Sequence, residues 1–170
     1  DLDGDGDLDA VLAQNFFSPQ RETGRMDGGL SLILENDGEG NLTPLNPAKS
    51  GLEVPGDSKS LTISDLNGDK RPDLIFGIND SSMVSFLNQG TAKQLTLKLP
   101  ANAFGTRVLI NGILREASGG GSYLSQSSSF LNFPPPSAET RAIVTWPDGT
   151  QSEEVIQPNE SLILLKKPAQ

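Results

Sequence analysis

The hydrophobic residues of this chain fall in short segments that either alternate with polar residues or run for only a few positions. No segment has convincing helical periodicity, whereas this pattern is typical of β-strands. Gly and Pro, 18 and 12 in number, separate the segments and favour turns. We therefore predict an all-β protein. The strands expected in its first half are residues 10–16, 30–34, 42–45, 60–64, 74–78 and 83–87.

Turn-forming residues punctuate the same pattern. Residues 36–41 read Asn-Asp-Gly-Glu-Gly-Asn and predict a hairpin tip, because Asn and Gly tolerate the positive φ that tight hairpins require. The polar residues 18–29 predict a surface loop. Beyond residue 90 the pattern changes and predicts a small antiparallel sandwich or barrel. Its expected strands are 95–99, 107–114, 142–146, 155–156 and 162–165, with turns at 111–112, 118–122 and 147–149.

One motif of the first half occurs twice. DLDGDGDLDAVLAQ begins at Asp1 and DLNGDKRPDLIFGI at Asp65, an offset of 64 residues. Recurrence on this scale among strands favours propeller blades or a β-solenoid, and we expect one to two units here. Repeat units bury their faces against neighbours, and the chain begins inside the motif, so a longer parent protein is expected. We predict two domains: residues 1–90, a partial propeller, and residues 91–170, a small β domain.

Composition narrows the chemistry. The chain has no Cys and no His, which removes disulfides, Cys-His and Ser-His-Asp arrangements and makes zinc, copper or iron sites improbable. Thirteen basic against 22 acidic residues give a net charge of −9, the wrong sign for nucleic acid. No apolar run approaches the roughly 20 residues that span a bilayer. Two carboxylates would suffice for glycoside hydrolysis, but little aromatic surface is present to hold a sugar, and we predict no enzyme.

The repeated motif carries the candidate chemistry. Both copies follow D-x-[DN]-x-D-x-x-x-D, with side-chain oxygens at positions one, three, five and nine, and the backbone carbonyl expected to contribute at position seven. Such oxygen-rich sites of flexible geometry suit Ca²⁺ better than Mg²⁺. The predicted ligands are Asp1, Asp3, Asp5, Asp7 and Asp9 in the first loop, and Asp65, Asn67, Asp69, Arg71 and Asp73 in the second.

Two other interpretations of the motif fit the sequence less well. An EF-hand requires an acid at position twelve and flanking helices, but Leu12 and Phe76 occupy that position within predicted strands. A solvated acidic turn without an ion is the other alternative, which the matched spacing of two copies disfavours. We therefore predict two calcium sites.

The two halves of the chain resemble known families. DLDGDGDLDAVLAQ and DLNGDKRPDLIFG resemble the FG-GAP or VCBS repeat, in which Phe76-Gly77 would be the FG pair while the first copy has Leu12-Ala13. Residues 105–110, Arg115-Glu116, GSYLSQS at 121–127, WPDG at 146–149 and Asn159 resemble the ASPIC/UnbV domain, although NFPPP at 132–136 departs from it. This order resembles cartilage acidic protein-like proteins, a resemblance that points to a bacterial relative. The resemblance implies structural calcium sites in the blades of a secreted or surface propeller.

Two functions follow as expectations. The first is a non-catalytic calcium-binding adhesion or protein-interaction module, and the alternative is a calcium-dependent carbohydrate-binding module. Trp146 could form a sugar platform and Tyr123 could face a ligand, yet both are expected to be packed rings. Open loops of this kind bind calcium in the ~10⁻⁴ to 10⁻³ M range, which favours a secreted, periplasmic or cell-surface location.

Overall fold

The computed structural model describes residues 1–101, 103–118 and 123–168, and β-strands dominate it. The prediction of an all-β chain is confirmed, and its four small sheets are compatible with a partial propeller followed by a sandwich. The described strands of the first half are β1 (Ala10–Leu12), β2 (Leu32–Asn36), β3 (Leu42–Pro44), β4 (Ser58–Ser64), β5 (Asp73–Ile78) and β6 (Val84–Phe86). Those of the second half are β7 (Leu95–Lys98), β8 (Arg107–Ile110), β9 (Ile113–Glu116), β10 (Phe130–Phe133), β11 (Thr140–Thr145), β12 (Gln151–Ile156) and β13 (Leu162–Leu164).

The first half forms two antiparallel three-stranded sheets, ordered β1-β2-β3 and β4-β5-β6. The first aspartate loop leads into β1, and the second joins β4 to β5. The predicted hairpin tip is confirmed, because Asn36 pairs with Leu42 and the carboxylate of Asp37 accepts hydrogen bonds from the backbone of Glu39 and Asn41. Both aspartate loops therefore immediately precede a strand that is hydrogen-bonded to the next strand along the chain.

A hydrophobic core lies between these two sheets. Its buried members are Leu52, Val54, Leu74 and Phe76. The Phe76 ring meets Phe86 edge-on, with 5.9 Å between ring centroids. Gly77 faces Ser60 so closely that a Cβ there would overlap the Ser60 hydroxyl, beside the β-bulge of β4. The Phe-Gly pair thus supplies one packed ring and one close approach between strands.

The second half forms a four-stranded sheet, β12-β11-β8-β9, and a three-stranded sheet, β10-β7-β13. Residues 95 to 165 supply a second core, which shares no member with the first. The turn at Asn111 and Gly112 is confirmed, with φ of 48° and 85° that join β8 to β9. Trp146 is 2% exposed and donates its indole N–H to Ser152, so its interpretation as a core residue is confirmed.

Several local expectations were wrong. The strand expected at 10–16 ends at Leu12, because Asn15 adopts φ 84° and its side chain binds the backbone of Gly28, Gly29 and Gly56. Strand β10 was missed, since the three prolines that follow it obscure its pattern. The helical turn α1 (Pro47–Ser50) was also missed. Strand β13 pairs with β7 in parallel, in contrast to the otherwise antiparallel sheets.

Two further points concern the second half. Tyr123 is 72% exposed, so the expectation that its ring is packed was wrong. Gly121 and Ser122 of the GSYLSQS block, and most of the turn expected at 118–122, lie outside the described residues.

The boundary at residue 90 stays a prediction. None of the described helices has the length and apolar character needed to cross a membrane.

Candidate metal site in the first aspartate loop

Three aspartates of the first loop converge on one point. Asp1, Asp3 and Asp5 each place a carboxylate oxygen within 4.8 Å of the other two, and they are the only such acidic group among the described residues. The loop is closed by short-range hydrogen bonds, from the Asp5 amide to Asp3 at 3.2 Å and from the Asp7 amide to Asp5 at 2.9 Å. Three of the five ligands predicted for this loop therefore face one centre.

The Asp1 carboxylate is the feature that favours a cation at this point. Its side chain is 2% exposed, and neither of its oxygens has a hydrogen-bond partner. The Arg115 guanidinium lies 4.0 Å from Asp1 Oδ2. A buried carboxylate without donors is costly unless a positive charge compensates it. The three carboxylates thus fit a hard divalent cation with oxygen ligands, which is the chemistry Ca²⁺ prefers.

The first loop also packs against the second half of the chain. The Arg115 guanidinium donates a hydrogen bond to the Gly6 carbonyl, and Gln94 donates from its amide to the Asp1 carbonyl at 3.1 Å. Burial lowers the pKa of Arg115, while the negative charge of Asp7 opposes that shift. Order in this loop is therefore linked to the contact between the two halves.

Glycines at position four of the two loops give a matched test of this contact. Gly4 and Gly68 have φ of 82° and 81°, but a Cβ at Gly4 would lie 2.7 Å from the Ala92 Cβ, whereas nothing lies within 4 Å of one at Gly68. We expect Gly68→Ala to cost about 1 kcal/mol from left-handed strain. Gly4→Ala should cost about 1 kcal/mol more because of the overlap. Urea unfolding of both variants measures the difference, and equal losses would show that the first loop does not press on Ala92.

The aspartates at position nine accept backbone hydrogen bonds in both copies. Asp9 accepts hydrogen bonds from the Leu2 amide at 2.7 Å and the Asn36 amide at 3.1 Å. Asp73 accepts from the Leu66 amide at 2.8 Å and the Asn88 amide at 2.8 Å. In the first copy the carboxylate joins the start of the loop to the end of β2, the strand that pairs with β1. In the second copy it joins the start of the loop to the backbone just beyond β6, the strand that pairs with β5. This equivalence ties loop and sheet together without an ion.

The second loop has its polar groups engaged within the protein. Asp65 accepts hydrogen bonds from the Gly68 and Lys70 amides, at 2.8 and 3.0 Å. Asp69 accepts from the Arg71 amide at 2.9 Å, from the Asn67 side chain at 2.7 Å and from the Arg71 guanidinium. Burial raises the pKa of Asp69, but the donors from Arg71 and Asn67 and the Arg71 charge outweigh it and hold that pKa below its ordinary value. In this arrangement the second loop does not fit a metal.

The structure thus divides the ten predicted ligands. It brings together Asp1, Asp3 and Asp5, turns Asp9 and Asp73 onto backbone amides, and engages Asp65, Asn67 and Asp69 with donors of their own loop. The Asp7 carboxylate lies against Gly38 of the hairpin tip, and the Arg71 guanidinium binds Asp69. Sequence reasoning missed Arg115 and Gln94, because their approach to the loop depends on how the two halves pack and leaves no signal in local spacing.

Comparison with known proteins bears on the first half of the chain. The family model described as FG-GAP-like repeat matches residues 1–76, which span both aspartate loops and the Phe76 of the FG pair. This match supports the FG-GAP part of the resemblance. No curated protein matches the chain significantly. FG-GAP-like repeats are structural, non-enzymatic units found in protein-interaction and adhesion modules.

Proposed function

We propose that this chain is a non-catalytic, calcium-binding adhesion or protein-interaction module. The observation that carries the proposal is the buried Asp1 carboxylate, which lacks hydrogen-bond donors and lies beside Asp3 and Asp5. Asp1, Asp3 and Asp5 would hold the ion, and the ion would neutralise their mutual repulsion. Two carboxylates about 4 Å apart repel by roughly 4 kcal/mol at an effective dielectric constant near 20.

Calcium would act by ordering the contacts that the first loop makes with the rest of the chain. The first loop contacts the second half through Arg115, Gln94 and Ala92 and contacts the segment after β6 through Asn88, whose side chain donates to the Leu2 carbonyl at 2.8 Å. An ion that fixes the loop would therefore fix the relative placement of elements far apart in sequence. A rigid surface binds partners with a smaller loss of conformational entropy.

The affinity expected of such a loop also supports an external location. Sites in extracellular modules bind calcium at about 10⁻⁴ to 10⁻³ M. Calcium at that level is found outside cells rather than in the cytosol, so we propose that the module acts in the periplasm, at the cell surface or in the medium. The ASPIC/UnbV assignment of residues 91–170, and a bacterial relative of the cartilage acidic protein type, remain part of the proposal.

A carbohydrate-binding role is the second candidate, favoured by one cleft. The cleft measures about 690 Å³ and lies between the second loop and the second half of the chain. Polar groups that could bind sugar hydroxyls line it, including Lys93, Asn159 and Gln94, whose buried Oε1 has no hydrogen-bond partner. No aromatic side chain lines this cleft, however, and a stacking platform is the usual means of holding a sugar ring.

An array carrying both glycans and extracellular matrix proteins separates the two candidates. We expect the wild-type chain to bind protein spots in millimolar calcium, and expect chelator or Asp5→Asn to remove that binding. Lys93→Ala, which alters only the cleft, should leave it unchanged. Calcium-dependent binding to glycan spots that is lost in Lys93→Ala would favour the carbohydrate role. Silence on every spot would contradict the module as proposed.

A further inference from the structure

We propose that the second aspartate loop takes no metal because Arg71 supplies its cation from within the chain. The loop has the spacing of a calcium motif, but its carboxylates accept hydrogen bonds from the protein and their charge is largely balanced by basic side chains of the same loop. The chain would then bind one calcium ion rather than the two that its sequence suggests. The count of one rests on the proposed function, whereas the exclusion of metal from the second loop does not.

Hydrogen bonding is the first line of support. Each oxygen of Asp65, Asp69 and Asp73 accepts at least one hydrogen bond from the protein. The corresponding first residue of the other loop, Asp1, receives none at either oxygen. A metal entering the second loop would compete with these donors, above all with the Arg71 guanidinium on Asp69, which offsets the gain from coordination.

Charge is the second line of support. Side chains of the first loop, residues 1–9, carry five aspartates and no cation, whereas residues 65–73 carry three aspartates together with Lys70 and Arg71. The formal side-chain charge is therefore −5 in the first loop and −1 in the second. Divalent affinity in such loops depends on the number of ligand charges, so the second loop attracts a cation far less strongly.

The position of Arg71 is the third line of support. Its guanidinium donates both to Asp69 and, through Nε, to the Asn88 carbonyl at 3.0 Å, which anchors it on two sides. Asn88 is also the residue whose amide binds Asp73. The fixed fork of arginine allows it to serve as a structural cation inside a carboxylate loop, where a lysine would act only as a point charge.

Counting bound ions by equilibrium dialysis in millimolar calcium tests this assignment. Wild type should bind one ion, Asp5→Asn none, and Asp69→Asn one. Arg71→Ala removes the guanidinium from Asp69 but keeps the backbone carbonyl at position seven, so we expect it to bind two. Arg141→Ala is the control, because it removes an arginine that forms an exposed ion pair with Glu153, 2.8 Å away in the second half, and it should bind one.

The outcomes separate this inference from the proposed function. Two ions in wild type, with one lost in Asp69→Asn, would overturn the inference. An unchanged count in Arg71→Ala, with a wild-type melting profile in chelator, would remove Arg71 from its role. No ion in wild type but one in Arg71→Ala would refute the first-loop site and leave the inference intact. If Arg71→Ala does not fold, the pair of Asp69→Asn and wild type still decides whether the second loop holds an ion.

Discussion

Replacing Asp73 with alanine is expected to lower the free energy of unfolding by about 3 kcal/mol, because two backbone donors lose their charged acceptor. Asp73 is fully buried, and both oxygens accept hydrogen bonds, from Leu66 and Asn88. These bonds join the second loop to the segment after β6. Since they involve no ion, the loss should be the same in calcium and in chelator. Chemical denaturation in both buffers measures it.

The control for this variant is Asp27→Ala. Asp27 is exposed and pairs with Arg25 at 2.9 Å on the surface loop, and an exposed pair contributes about 0–1 kcal/mol. A small loss in Asp27→Ala beside a large one in Asp73→Ala would establish the structural role of position nine. A loss in Asp73→Ala that appears only when calcium is present would instead make Asp73 a ligand.

Calcium is expected to raise the melting temperature of the wild-type chain through the first loop. At a free concentration one hundred times the dissociation constant, a ligand stabilises the folded state by about 2.7 kcal/mol, and at ten times by about 1.4 kcal/mol. For a chain of this size that corresponds to an increase of about 3–10 °C. Differential scanning calorimetry in chelator and in 10 mM calcium measures the shift.

Variants of the two loops locate the source of that shift. Asp1→Asn should abolish most of the increase, because it removes the buried negative charge that the ion would compensate. It should also melt at or above the wild-type temperature in chelator, where the same buried charge is a cost. Asp65→Asn should retain the full increase. A wild-type melting temperature that does not respond to calcium, or a response lost in Asp65→Asn but retained in Asp1→Asn, would contradict this assignment.

The fold followed from sequence wherever local pattern decides structure. Many strand and turn positions were predictable because short alternating segments and turn-forming Asn, Asp and Gly residues act locally, as at residues 36–41 and 111–112. Strand β10 was not predicted because three prolines follow it directly. The parallel pairing of β13 with β7 was not predicted either, since the choice of strand neighbour depends on the whole sheet and not on either segment.

The site followed from sequence only in part. Spacing alone located the convergent oxygens of Asp1, Asp3 and Asp5, because alternate residues of a short coiled loop face its centre. Spacing treated Asp73 as a ligand, whereas its oxygens bind amides of Leu66 and of Asn88, 15 residues away. The spacing also predicted that Arg71 contributes only its backbone carbonyl to the metal, whereas its side chain lies in the loop as a cation and binds Asp69. The charge of the Arg71 side chain is visible in the sequence of the repeat and could have indicated its role. The backbone contacts of Asp73 could not be predicted from the sequence, because they depend on how the strands pack.

A crystal structure of the chain grown in millimolar calcium is the most direct test of the account. We expect one strong anomalous peak in the first loop, with oxygens of Asp1, Asp3 and Asp5 at about 2.3–2.6 Å from it. Ordered density for this loop with no ion among those three carboxylates, or an ion bound in the second loop instead, would contradict the account.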